Sequence, residues 1–317
     1  MEHLTGKRYL WFAISLIVIL PGLISLILFG LNLGIDFTGG TLWEIQFAEE
    51  VSTEDVKAAL ADAGYDNTIV QTSSGTGDTE SILIRMPEIQ EGSAEKVALE
   101  EHVRAELGEF TQLQISTIGA SVGNAIRDRA ALAVVLASLG IVLYIWWAFR
   151  TTQNPLLYGI AALIAMLHDV LVVVGIFSIL GEIAEVQVDV LFVTALLTVI
   201  GFSVHDTIVV FDRIRENLAR NVAGTFEETV NYSLAQTIVR SINTSITVTL
   251  TLMALYFYGG STTREFVLAL LIGVISGTYS SIFNASQLLV AWENGEIKRA
   301  FGRLRGQNTG PIVAPSR

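Results

Sequence analysis

Residues 201–217 read Gly-Phe-Ser-Val-His-Asp-Thr-Ile-Val-Val-Phe-Asp-Arg-Ile-Arg-Glu-Asn. An apolar run of membrane-spanning length carries an ionisable pair, His205–Asp206, before it leaves into a charged turn from Asp212 to Asn217. A carboxylate at the centre of a bilayer helix costs about 2.5–3.5 kcal/mol on insertion scales, so such residues face a bundle interior or a wet path and mark function by default. The stretch points to a membrane helix bundle, and makes Asp206 the first candidate on a proton or ion pathway.

The rest of the chain agrees. Of 317 residues, 51% are hydrophobic and only 16% charged, with a mean hydropathy of +0.55. Soluble domains carry nearer 25% charge. There is no cysteine, which excludes disulfides, thiolate nucleophiles and Cys-ligated metals. Residues 31–129 hold 18 acidic and six basic residues, a balance of −12 that equals the net charge of the whole chain. An acidic segment of this kind argues against nucleic acid as a partner, which wants basic patches.

Six apolar runs are long enough to span, near Tyr9–Leu31, Ala130–Phe149, Leu156–Leu180, Val188–Phe211, Ser241–Tyr258 and Phe266–Trp292. The first is too long for a signal-peptide core and has no small-residue cleavage site after it, which predicts an uncleaved anchor. Lys7, Arg8, Arg150, Arg213, Arg215, Arg220, Arg240, Lys298, Arg299, Arg303 and Arg305 fall on one side. The positive-inside rule then puts both termini in the cytoplasm and the acidic segment outside, as for a multi-pass protein of a bacterial plasma membrane. The expected division is residues 1–31 (first span), 32–129 (extracytoplasmic domain), 130–292 (spans two to six) and 293–317 (cytoplasmic tail).

Within residues 41–118, strand signals at Thr41–Phe47, Thr68–Ser73, Glu80–Met86 and Gln112–Ile118 alternate with helix signals. One helix opens at Ser52-Thr53-Glu54-Asp55 and stops at Gly64; the other covers Ala94–Leu107 and stops at Gly108. Ser-Gly-Thr-Gly-Asp joins the middle strands as a hairpin loop. The order βαββαβ predicts a ferredoxin-like α+β domain between the first two spans. It holds no paired catalytic residues, so a rigid docking module is expected. Ahead of it, Gly34-Ile35-Asp36-Phe37-Thr38-Gly39-Gly40 reads as a glycine-rich turn from helix to strand.

Polar stripes cross the spans. Arg240, Asn243, Thr244, Thr247 and Thr251 share one face of the fifth, a face that lipid would refuse. Gly273, Ser276, Gly277, Ser280, Asn284 and Gln287 share one face of the sixth, where Gly273 and Gly277 fit a small-xxx-small packing motif. Asp169 lies near the middle of the third span, Asp206 about two turns from the cytoplasmic end of the fourth, and Arg240 at the start of the fifth. Asp206 and Arg240 are therefore expected to share a depth and to pair. Thr225-Phe-Glu-Glu228 is a capping-box pattern expected to open a short amphipathic cytoplasmic helix.

These residues resemble the SecF branch of the SecD/SecF family of bacterial protein-export membrane proteins, itself similar to half of a resistance–nodulation–division transporter. The Gly34–Gly40 stretch, with Gly34, Asp36, Gly39 and Gly40, looks like the family motif after the first helix. The 201–217 stretch, with Gly201, Asp212 and Arg213, looks like its fourth-helix signature. The resemblance covers roughly residues 9–292. It implies proton-driven protein export together with SecD, the SecYEG channel, YajC and, indirectly, SecA, acting on an unfolded preprotein. Family proton-path positions map onto Asp206, Arg240 and Asp169. The coupling ion implied is H+, sodium serving some relatives, and no cofactor, metal or catalytic residue is expected. Position 205 is commonly Asn in the family, so His205 departs from it. Three other readings stand beside this one: a passive scaffold of an export complex, a small-molecule exporter, and an intramembrane aspartyl protease using Asp169 and Asp206.

Overall fold

The computed structural model describes residues 4–74, 80–152, 154–296 and 299. Most of the hairpin loop between the middle strands and most of the tail, with Lys298, Arg303 and Arg305, lie outside the described residues. A short turn at Thr5–Lys7 leads into α1 (Arg8–Leu28). One helical turn, α2 (Ile35–Thr38), enters β1 (Gly40–Phe47). Then follow α3 (Thr53–Asp62), β2 (Ile69–Ser74), β3 (Glu80–Met86), α4 (Ala94–Leu107) and β4 (Phe110–Ile118). The remaining helices are α5 (Ala120–Ala148), α6 (Pro155–Ala184), α7 (Val190–Ala219), α8 (Phe226–Tyr258) and α9 (Ser261–Ser280). Through a π-turn at Ser281–Ala285, α9 runs on into α10 (Ser286–Glu293).

The sheet order is β2-β3-β1-β4, with every neighbouring pair antiparallel. Its core is built on β1: Trp43 and Ile45 are fully buried against Ile84, Val56, Leu60 and Val103 of the neighbouring strand and both helices. The helix starts are capped as their sequences dictate, Ser52 accepting from the backbone N–H of Asp55 and Ser93 from that of Lys96. Gly64 and Gly108, both at positive φ, end α3 and α4.

Six helical stretches are long and apolar enough to cross a membrane, and the chain is a multi-pass membrane protein. The inner set is α6, α7 and α9; much of α1, α5 and α8 is exposed apolar surface that faces lipid or another bundle. Close packing of the inner set relies on small residues. A Cβ on Gly273 would lie 2.1 Å from Val199 Cγ2, and one on Gly277 would lie 3.1 Å from Ser203 Cβ. The small-xxx-small stripe therefore seats α9 on α7. Gly273→Leu is expected to force these helices apart at a cost of about 1–3 kcal/mol, read as a lower midpoint of thermal unfolding in lipid nanodiscs.

Five spans are longer than the apolar runs alone indicate, α8, α7 and α5 the most. The capping box at Thr225 and Glu228 forms, but it opens α8 itself, which continues unbroken to Tyr258 instead of ending as a separate cytoplasmic helix. Val230 and Leu234 pack into the bundle core there, so the amphipathic turns are tied down by tertiary contact. The charged stretch after Phe211 is helical to Ala219, its Arg213–Glu216, Arg215–Asp212 and Arg220–Glu216 pairs lying at helical spacing. At the other side, a single residue, Gly119, separates β4 from α5.

Candidate functional site in the helix bundle

With the true helix lengths, Asp169, Asp206 and Arg240 all fall near the middle of their helices, which have 30, 30 and 33 residues. Asp206 is therefore about three and a half turns from the C-terminal end of α7.

Asp169 is fully buried and takes four hydrogen bonds. On Oδ1 it accepts from Ser276 Oγ at 2.6 Å and contacts His168 Nδ1 at 2.9 Å. On Oδ2 it accepts from Ser203 Oγ at 2.5 Å and Ser280 Oγ at 2.6 Å. Three helices thus converge on one carboxylate. Such charge-assisted bonds are about twice as strong as neutral ones, and they offset part of the desolvation of a buried carboxylate. The His168 ring stacks beside Tyr279, with centroids 6.1 Å apart, and its buried Nε2 has no partner among the described residues.

Asp206 is half-buried. Its Oδ1 accepts from Ser241 Oγ of α8 at 2.7 Å, and its Oδ2 from Ser281 Oγ of the π-turn at 2.6 Å. The expected pair with Arg240 is not made here: Arg240 is exposed and has no ion pair among the described residues. The reason is angular. Consecutive residues of a helix point about 100° apart, so once Ser241 faces Asp206, Arg240 turns outward. With it go Asn243, Thr244, Thr247 and Thr251, all exposed. On the neighbouring α7, Thr194, Thr198, Gly201 and His205 are exposed as well. The polar stripe of the fifth span does not enter this bundle; it borders a polar face on the chain's own exterior.

The hydroxyls of Ser203, Ser241, Ser276, Ser280 and Ser281 were not assigned to these carboxylates from sequence. The signal that could have found them is the presence of hydroxyls in apolar spans, which must find an acceptor.

The glycine motif sits at the joint between sheet and bundle. Gly34 N–H donates to the Val188 carbonyl at 2.8 Å, and Val188 N–H to the Asn32 carbonyl at 2.8 Å. Asp36 Oδ2 accepts from Val190 N–H at 2.9 Å, so the motif caps the first turn of α7, the helix that carries Asp206. Asp189, the N-cap of α7, is raised above the usual carboxylate range by burial. Nearby, burial pulls Arg85 below its usual value while Glu265, Asp189 and Glu185 act in the opposite sense. Gly39 and Gly40 have φ of 78° and 131°. A Cβ on Gly39 would lie 2.7 Å from Ala120 Cα, and one on Gly40 would lie 2.7 Å from the Met86 carbonyl oxygen. Gly201, by contrast, has open space around it. Asp212 and Arg213 lie in the surface pairs at the far end of α7, where exposed pairs contribute about 0–1 kcal/mol each.

The comparisons with known proteins converge on one family. The protein export membrane protein SecD/SecF C-terminal family matches residues 98–295, and the SecD/SecF GG motif matches residues 24–51. The protein translocase subunit SecF of Thermobaculum terrenum is 58% identical over 310 residues, covering 96% of this chain and 98% of that one. The protein translocase subunit SecDF of Bacillus subtilis is 34% identical over 299 residues, covering 93% of this chain but 38% of its own. The crystal structure of SecDF, a translocon-associated membrane protein from Thermus thermophilus, matches with a TM-score of 0.80 at 33% identity, over 92% of this chain and 38% of that one. A bundle of six apolar spans, a glycine motif docked on α7 and this near full-length identity place the chain in the SecF family of protein translocase subunits.

Proposed function

We propose that this chain works with SecD to draw preproteins across the bacterial plasma membrane at the expense of the proton-motive force. The observation that carries the reading is the polar face of α7 and α8 beside Asp206. Lipid does not accept Arg240, His205 and a row of threonines, so a second helix bundle must cover them. Relatives in which SecD and SecF form one chain supply the kind of bundle required.

In this reading Asp206 binds the transported proton. Ionised, it attracts Arg240; neutral, it is satisfied by Ser241 and Ser281. A rotation of α8 by one residue, about 100°, exchanges Ser241 for Arg240 opposite the carboxylate. Asp169 is the further carboxylate of the same route. The membrane potential offers about 2.3 kcal/mol per charge per 100 mV, enough to bias a two-state element about fifty-fold. The motion reaches the sheet domain through α7 and the Asp36 cap. The sheet domain, which we read as ferredoxin-like from its βαββαβ order and split strand pairing, stands outside with both termini in the cytoplasm. There it holds the emerging chain, with SecYEG as the channel, YajC as an accessory and SecA acting earlier from within. The working division is 1–31, 32–129, 130–292 and 293–317. The coupling ion is H+, and no enzymatic activity, metal or cofactor is proposed.

The test is export into inverted vesicles holding the full complex, with and without an imposed proton gradient. Asp206→Asn is expected to remove the gradient-dependent increment by about tenfold or more while leaving ATP-driven insertion in place. If the variant keeps that increment, the reading is wrong.

A further inference from the structure

Two consecutive serines, at the point where α9 widens into its π-turn, hold two different carboxylates. Ser280 Oγ lies 2.6 Å from Asp169 Oδ2 and 3.2 Å from the Gly277 carbonyl oxygen. Ser281 Oγ lies 2.6 Å from Asp206 Oδ2 and 3.1 Å from the Thr278 carbonyl oxygen. Each hydroxyl therefore has two acceptors within reach, a carboxylate and a carbonyl three residues back.

That geometry serves both protonation states. While the carboxylate is ionised, the serine O–H donates to it. When a carboxylate oxygen takes a proton, the new acid O–H donates to the serine oxygen, and the serine hydrogen turns to the carbonyl. No buried donor is left unmet in either state, which avoids the cost of about 1–3 kcal/mol that an orphaned group would impose. The π-turn widens the backbone where the two serines sit, a feature concentrated at functional sites.

We propose that Ser280 and Ser281 form a hydroxyl pair that makes the protonation of Asp169 depend on that of Asp206. The proposal rests on the proton-coupled reading of Asp206. Because the serines are consecutive in one turn, re-aiming the Ser281 hydroxyl dipole changes the field in which Ser280 donates to Asp169. The groups facing Asp169 are Ser203 from α7, Ser276 and Ser280 from α9, and His168 from its own helix, with Tyr279 stacked beside that imidazole. Those facing Asp206 are Ser241 from α8 and Ser281, with His205 and Arg240 on the exposed side. His168 adds reserve capacity: with Nδ1–H donated to Asp169, its Nε2, which has no partner among the described residues, can accept.

The experiment is infrared titration of the full complex in lipid, following the protonated-carboxyl band. A band absent from Asp169→Asn is expected in the native chain. In Asp206→Asn its midpoint should move by about one pH unit, about tenfold in proton affinity. Double replacement of Ser280 and Ser281 by Ala should abolish that displacement, and double replacement by Thr, which keeps both hydroxyls, should preserve it. The proposal is overturned if no Asp169-dependent acid band appears at any pH where the protein is folded. An unchanged midpoint in Asp206→Asn overturns it equally. These outcomes are independent of export, so the two readings fail separately.

Discussion

Gly40→Val is expected to be the most damaging single change in the joint between sheet and bundle, lowering stability by about 3 kcal/mol or more. Two costs add. The backbone stands at φ 131°, a region L side chains rarely adopt, and the new Cβ would meet the Met86 carbonyl oxygen at 2.7 Å. Neither neighbour can give way, because Gly40 pairs with Ile118 on one side and Thr41 with Met86 on the other. Gly64→Ala is the control. Its φ of 92° is also positive, but nothing lies within 4 Å, so only the backbone cost of about 1–2 kcal/mol remains. Thermal unfolding of the purified full chain, with steady-state abundance in cells, would separate them. Equal effects for the two would show that the close approach to Met86 is unimportant.

Asp169→Leu should have an effect of the same order, at about 3–5 kcal/mol. It strips the acceptor from three serine hydroxyls and from His168 Nδ1 in a buried site. Of the three, Ser280 has a ready substitute in the Gly277 carbonyl. Asp169→Asn keeps shape and one acceptor oxygen, and is expected to cost only about 1–2 kcal/mol. The contrast is measured by reversible unfolding in bilayers. A leucine variant as stable as the asparagine variant would mean that the hydroxyls are satisfied without the carboxylate.

The sheet domain was legible because its signals are local. Ser52 and Ser93 cap, Gly64 and Gly108 stop, and the strands alternate, so each boundary is decided within a few residues. Helix lengths in the bundle were less so. Hydropathy marks where a helix meets lipid and is silent on the turns of α7 and α8 that continue beyond it. The site was legible in its carboxylates, whose expense in apolar runs announces them, but not in their partners. A serine is small enough to pass unnoticed, and a shift of one residue decides whether Ser241 or Arg240 meets Asp206. The exposed stripe on α8 was recognised as a face lipid would refuse, yet its direction depends on packing that no single helix encodes.

Gly40 and Ile118 are partners in the sheet, and only Gly119 separates Ile118 from the start of α5. Both covalent crossings between sheet and bundle therefore stand side by side at one corner, with a hydrogen bond from Gln71 to the Glu185 carbonyl as an outlying stay. A body mounted in this way behaves as a lever. Eight residues of β1 span about 27 Å, so a tilt of about 10° at the corner would sweep the far end of the strand through about 5 Å. Small helix movements inside the bilayer would thus arrive at the far rim of the sheet already magnified.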